Sequence, residues 1–580
     1  MGGADDCGEV SDPALQIDHW ALDVEQPVRR SLRRRIGRWT FPLSFKEMKS
    51  PLLLALLACF LPATLPGETK PPASDRHVVL VVWDGMRPDF VTERAAPTLW
   101  KLCQEGVTFR RHHSIYPTMT YVNGAAIATG GYPSHNGILA NREFRPRIDP
   151  RKFFETADRE IIQKGDEVSG GKYLPLPTIA EIVRQAGRRA VTVGTKSVAF
   201  LHDRHAEWTT MAARTFVGKF FAAPMSPSLH EEALQFFGSF PAASAETIDA
   251  NTAATRLMTG LLWRDELPAY SLLWLSEPDL TQHDHSAGAE PSLAAIRNSD
   301  RNLATVLDTI AKKNARETTD VFVVSDHGFS TIERSLDFPR ELRAAGFDAV
   351  EALDQNPKTG QVMVVGNAGT IFFYIVGRDR TVASRLVEWL QRSDFAGVIF
   401  SREEFEGAFP LDSVNANTAD APDVMVALRW NSKPNKFGRA GQIITDAARG
   451  PGQGSHATLS EFDVHNTLAA AGPDFRRGML NELPSSNLDL APTVLRLLRI
   501  ESPGKFDGRI LSEAMTGESM PTPAAPHAVS QTLEFTRKFS SGLWRQHLRL
   551  SRVGETTYID EGNGAFEATT SSSSSPSSSP

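Results

Sequence analysis

The sequence predicts an α/β fold: a largely parallel central sheet with helices on both faces, carrying a small α+β insert. Short, almost wholly apolar runs recur at His77–Trp83 (HVVLVVW), Tyr270–Leu275 (YSLLWL) and Asp320–Val324 (DVFVV). Runs of that length without polar alternation suit strands buried on both faces, as in parallel sheets. Stretches with helical spacing separate them, and strands alternating with helices argue for parallel crossovers. Each of the three runs also leads into a carboxylate: Asp84 in VVWDG, Asp279 in LSEPD, Asp326 in VVSDHG.

The elements follow in chain order. Glu68–Asp75 is a polar, Pro-containing linker. His77–Trp83 opens the catalytic core, which the reading places at residues 75–335 and 446–515. Thr178–Gly187 reads as a helix, with a Thr cap, apolar Ile179, Ile182, Val183 and Ala186, and a Gly stop. Ala190–Val193 follows as a strand, and Leu293–Ala311 has helical spacing. Thr370–Val376, a helix at Thr381–Gln391, Gly397–Phe400 and Val424–Leu428 form an α+β block inside a cap at 336–445. Leu488–Leu498 is a helix, followed by Asp507-Gly508-Arg509. Residues 516–566 form a C-terminal segment, and the Ser/Pro-rich tail at 567–580 reads as disordered.

Composition narrows the function. With 580 residues, 41% hydrophobic and 23% charged, the chain has the makings of several domains or one large elaborated one. Sixty-two basic against 69 acidic residues leave a net charge of −7, with no overall basic surface for duplex nucleic acid. Three cysteines are too few for a disulfide scaffold. No apolar run reaches the length of a spanning helix. Pro51–Leu65 follows Met48-Lys49 in the layout of a signal peptide, assigned to 48–67, so export to the periplasm or exterior is expected. Residues 1–47 then read as a spurious or disordered extension. Cys59 and the apolar segment also leave a lipid or N-terminal membrane tether open, and no stable protein partner is expected.

Carboxylates converging at the carboxyl ends of parallel strands repel one another unless a cation compensates. Histidines accompany them. His283 lies four residues after Asp279, on the same face if that turn is helical, and His327 follows Asp326. His456 stands in the Gly-rich loop GPGQGSHATLS. Three Asp and three His suffice for two metals, and mixed Asp/His ligands suit zinc or a similar ion. A hydroxyl opening the small-residue stretch after Tyr116–Gly124 (YPTMTYVNG) could be a metal-activated nucleophile. Local context does not separate Thr118 from Thr120.

In this order, strand-Asp84-Gly, YPTMT, TGGYPSHNGILAN, EPDLTQH, SDHG, GSH and DLAPTVLRLL…DGR resemble the alkaline phosphatase superfamily. More narrowly, they resemble its type I phosphodiesterase/nucleotide pyrophosphatase family. The resemblance implies a phosphoric ester hydrolase with two divalent ions, most simply zinc. It makes Thr120 the nucleophile. It places one metal at Asp84, Thr120, Asp326 and His327, and the other at Asp279, His283 and His456. Asn141 becomes a phosphate-oxygen ligand, while Asn123 reads as structural. Lys196, in VGTKSVAFL, stands where phosphomonoesterase-like members carry a substrate-binding Lys followed two residues later by Arg; here that second position is Val198. By local context alone, Lys196 is a surface loop lysine. A monoester dianion asks for more positive charge than a diester, so the missing Arg favours a diester, of nucleotide or lipid-headgroup type. A phosphomonoesterase is the alternative, and a non-catalytic metal-containing binding protein is the alternative of another class. A sulfatase needs Cys or Ser in a Cys/Ser-x-Pro-x-Arg context, which none of the cysteines provides.

Overall fold

The computed structural model describes residues 76–204, 213–217, 227–238, 247–517 and 527–569. The expected extension, signal segment, Cys59 and linker up to residue 75 lie outside them, as does the tail from residue 570.

Eight strands build the central sheet. In spatial order they are Met479–Asn481, Val107–Phe109, Leu468–Ala471, Thr319–Val324, His77–Trp83, Tyr270–Leu275, Ala190–Gly194 and Ala213–Val217. His77–Trp83 pairs in parallel with Tyr270–Leu275 on one side and Thr319–Val324 on the other. Ala190–Gly194 continues the parallel set. Only Leu468–Ala471 runs against its neighbours. The all-apolar composition of the first strand now has a cause. Val78, Leu80 and Val82 enter one core while Val79, Val81 and Trp83 enter another, so both sheet faces are covered. Helices Thr120–Thr129, Ile179–Gln185 and Leu490–Leu497 pack on the first face. Pro97–Glu105 and Glu290–Lys312 pack on the second.

The Ile179–Gln185 helix starts as its sequence requires. Thr178 Oγ1 accepts from the Glu181 N–H at 3.2 Å, and Glu181 accepts from the Thr178 N–H at 2.8 Å, a reciprocal capping box. Thr178→Ala is expected to cost about 1 kcal/mol of stability in denaturant unfolding. The helix stops two residues short of Gly187, which takes φ +73°.

Beyond residue 336 the chain builds a six-stranded sheet from Ala349–Val350, Val362–Asn367, Thr370–Ile375, Val424–Leu428, Ala396–Ser401 and Phe409–Pro410. Helix Arg380–Gln391 covers it through Leu386, Val387 and Leu390. The C-terminal segment is a three-stranded antiparallel meander: Val529–Phe539, Gly542–Val553 and Thr556–Ala568. Glu567 and Ala568, assigned to the tail by sequence, complete its last strand. The meander is joined to the six-stranded sheet through Ile399 and to the adjoining strand Trp430–Pro434. Gln546 accepts from the Ile399 N–H at 2.7 Å, and the Trp430 indole N–H donates to the Gly562 carbonyl at 2.7 Å. No helix among the described residues is long and apolar enough to cross a membrane.

Candidate active site

The site is assembled at the carboxyl ends of the three adjacent strands His77–Trp83, Tyr270–Leu275 and Thr319–Val324. Asp84 follows the first strand directly. Asp279 opens the helix Asp279–His285 after the second, and Asp326 follows the third. All three carboxylates are fully buried. Gly85, at φ +70°, lets the chain leave the sheet here: a Cβ would stand 3.0 Å from that of Asp279. Its N–H donates to Asp326 Oδ1 at 3.0 Å.

The expected helical face is present, with His283 Nε2 lying 3.3 Å from Asp279 Oδ1. His456 Nε2 lies 3.6 Å from the same oxygen. His327 Nε2 is 3.2 Å from Asp326 Oδ2 and 3.6 Å from Asp84 Oδ1. Each ring is anchored from behind. Nδ1–H donates to the Gly454 carbonyl from His283 (2.9 Å), to the Gly328 carbonyl from His327 (2.8 Å) and to the Thr118 carbonyl from His456 (2.8 Å). A carbonyl only accepts, so these bonds place a hydrogen on Nδ1 and leave Nε2 as the nitrogen that faces the site. Burial and the neighbouring His327 hold His456 well below the usual histidine range, so that ring is neutral.

The three Nε2 atoms thus face carboxylate oxygens. Among the buried side-chain atoms with no hydrogen-bond partner are Asp84 Oδ1, Asp279 Oδ1 and Asp326 Oδ2, one oxygen from each carboxylate. Orphaned buried carboxylate oxygens are costly. Cations between them and the Nε2 atoms would remove that cost, so the donor set fits metal ions. Asp84, Asp326 and His327 form one group whose ligand atoms lie within 4.8 Å of one another; Asp279, His283 and His456 form another.

Thr120 begins the helix Thr120–Thr129, where Met119 is the N-cap, and is buried. Its Oγ1 lies 3.3 Å from His327 Nε2. The Thr118 hydroxyl is used elsewhere, donating to the Thr458 carbonyl at 2.9 Å. The structure therefore separates two threonines that local sequence could not. Asn123 ties down the preceding loop, accepting from the Ile115 N–H and donating to the Ile115 and Met119 carbonyls. Asn141 Oδ1 accepts from the Tyr121 N–H at 2.9 Å, so what Asn141 can offer a ligand is its amide NH₂.

Lys196 is not a surface lysine. Its side chain is 16% exposed, and Nζ lies 2.7 Å from Asp279 Oδ2, 3.0 Å from Asp84 Oδ2 and 3.2 Å from Thr120 Oγ1. Burial alone would lower its pKa, but the carboxylates of Asp279, Asp84 and Asp326 outweigh that and raise it. The lysine takes Oδ2 of both aspartates and leaves both Oδ1 atoms free. The two aspartates respond oppositely. Burial and Asp326 push Asp84 well above the usual carboxylate range. Burial would raise Asp279 too, but His283 and Lys196 hold it well below.

Two supports lay beyond sequence reasoning. The buried Trp274 indole N–H donates to Asp84 Oδ2 at 2.8 Å, and Asn487 Nδ2 donates to the Asp326 carbonyl at 2.7 Å. A tryptophan inside a two-sided buried strand must find an acceptor, which was a usable signal. Asn487, 161 residues from Asp326, gave none.

A family model described as type I phosphodiesterase / nucleotide pyrophosphatase matches residues 78–442. Among curated proteins, a bis(5'-adenosyl)-triphosphatase of Xenopus laevis is 21% identical over 288 residues, 48% of this chain and 52% of that protein. A venom phosphodiesterase of Naja atra is 21% identical over 261 residues, 44% of this chain and 26% of its own. Human ectonucleotide pyrophosphatase/phosphodiesterase family member 1 is 22% identical over 251 residues, 42% and 22% of the two chains. The chain thus spans about half the length, or less, of these relatives. Among solved structures, murine ectonucleotide pyrophosphatase/phosphodiesterase 5 superposes with a TM-score of 0.52 at 15% identity, covering 76% of this chain and 100% of that one. That likeness shows the fold.

Proposed function

We propose, from the premise that this chain belongs to the type I phosphodiesterase / nucleotide pyrophosphatase family, that it is an exported hydrolase of phosphoric diesters, acting through Thr120 and two zinc-class cations. The observation that carries this reading is the set of three buried carboxylates, each with one unpartnered oxygen, facing imidazole Nε2 atoms around a single hydroxyl. Asp84, Thr120, Asp326 and His327 would hold one cation; Asp279, His283 and His456 would hold the other. Bound there, the pair supplies Lewis acidity, easing deprotonation of a hydroxyl and neutralising charge on phosphoryl oxygens.

The chain's own groups define the rest. Thr120 Oγ attacks phosphorus in line. The bond to the leaving oxygen breaks, the leaving group departs as an alkoxide or phosphate, and the phosphoryl group rests on Thr120. Water then cleaves the phospho-threonine, freeing the product and restoring the hydroxyl. Asn141 donates its amide to an equatorial oxygen, and Lys196 sets its ammonium beside the attacking Oγ. The substrate is a small phosphate ester. A nucleotide is supported by the relatives' names, and by a murine neighbour whose inactive variant was solved in complex with AMP. Export is supported by the signal-like segment at 48–67, and by relatives named as venom and ecto-enzymes.

Phosphomonoester hydrolysis is the second reading, favoured by the Lys196 ammonium 3.2 Å from Thr120 Oγ1. The test compares kcat/KM of the zinc-loaded protein for an aryl phosphate diester and the matching monoester. The diester is expected to be preferred. Lys196→Met should depress residual monoester turnover more than diester turnover, by about tenfold per 1.4 kcal/mol of lost dianion stabilisation. A preference for the monoester would reverse the substrate class.

A further inference from the structure

His113, His465 and Asp560 meet well away from one another in sequence. His113 ends the short strand His112–His113, His465 follows the helix Glu461–Val464, and Asp560 lies in the last meander strand. Ligand atoms of the three lie within 4.8 Å of one another, and the two imidazole centroids are 4.6 Å apart. His113 is fully buried. Its Nδ1–H donates to the Ser485 carbonyl at 2.9 Å. A carbonyl only accepts, so Nδ1 carries the hydrogen and Nε2 is the nitrogen left to face a partner. Yet His113 Nε2 stands 3.0 Å from Asp560 Oδ1, a separation that needs a positive charge between lone pair and carboxylate.

We propose that His113, His465 and Asp560 bind a further zinc-class cation, distinct from the Thr120 centre, which clamps the C-terminal meander to the core. Two imidazoles and one carboxylate are donors of the kind such ions take. A carbonyl-anchored imidazole, here His113, and a hydrogen-bonded carboxylate are the outer support that metal ligands carry. Asp560 is braced in this way: Ser551 Oγ donates to its Oδ2 at 2.7 Å and Arg111 Nη2 to its Oδ1 at 3.2 Å. The rival occupant is a proton, making His113 an imidazolium paired to Asp560. That pair has no use for His465.

The test is the zinc content of the full chain after loading and desalting. His465→Gln and Asp560→Asn are each expected to hold one zinc fewer than the parent while hydrolysing the diester at the parent rate. The same decrement is expected in an Asp279→Asn background, so the outcome does not depend on the reading of the Thr120 centre. Chelation should lower the melting temperature of the parent more than that of His465→Gln. Equal zinc content in the parent and His465→Gln would overturn the proposal in favour of the proton, and would stand even if Asp560→Asn failed to fold.

Discussion

Thr120→Ala is expected to lower kcat for diester hydrolysis by more than ~10³-fold, the scale of loss on removing a nucleophile. The zinc content should stay close to that of the parent. Five of the six proposed Asp and His ligands do not touch the Thr120 hydroxyl, and the sixth, His327, is held by its bond to the Gly328 carbonyl. Removing Oγ1 also leaves the Lys196 ammonium with both its carboxylates, so the site keeps its charge balance. Thr118→Ala is the matched control. Its hydroxyl serves the Thr458 carbonyl, so its loss should weaken packing of the loop without silencing the chemistry. Turnover of Thr120→Ala near the parent rate would remove Thr120 from the reaction. A coupled loss of metal and activity would make Thr120 a ligand first.

Metal removal should have the second largest effect. Dialysis against a chelator is expected to bring hydrolysis to background, and zinc to restore it. Stability should fall as well. The orphan oxygens of Asp84, Asp279 and Asp326 would again lack partners in a buried site. A ligand present at 100-fold over its Kd contributes about 2.7 kcal/mol to the folded state, so a shift of that order should be visible in calorimetry. Asp279→Asn separates the two consequences. It keeps the shape and offers one fewer charge to the Asp279, His283 and His456 group, so activity should fall while the melting temperature responds less to the chelator.

The strand-end carboxylates were legible because each follows a run of apolar residues that suits a strand buried on both faces, so the aspartate marks where the chain leaves the sheet. His456 was legible because nothing in its glycine-rich loop called for an imidazole. The Asp279–His283 pair followed from helical spacing alone. Other parts were hidden for physical reasons. Lys196 read as a loop lysine because its burial comes from Asp84 and Asp279, which lie far from it in sequence. Leu468–Ala471 is a strand of one leucine and three alanines, a composition with no β preference, held by its neighbours on both sides. The meander did carry a signal that was passed over. In GLWRQHLRLSRV, Trp544, Gln546 and Leu548 are buried while Arg545 and Arg549 are exposed, a period of two. With that period unread, Asp560 had no place in the fold.

The central claim is that two cations lie between the strand-end carboxylates and the three imidazoles beside Thr120. Anomalous diffraction at the zinc edge, on crystals of the zinc-loaded protein, tests it most directly. The account predicts one peak against Asp84 Oδ1, Asp326 Oδ2 and His327 Nε2, and another against Asp279 Oδ1, His283 Nε2 and His456 Nε2. Full zinc loading with no peak at either position would contradict it.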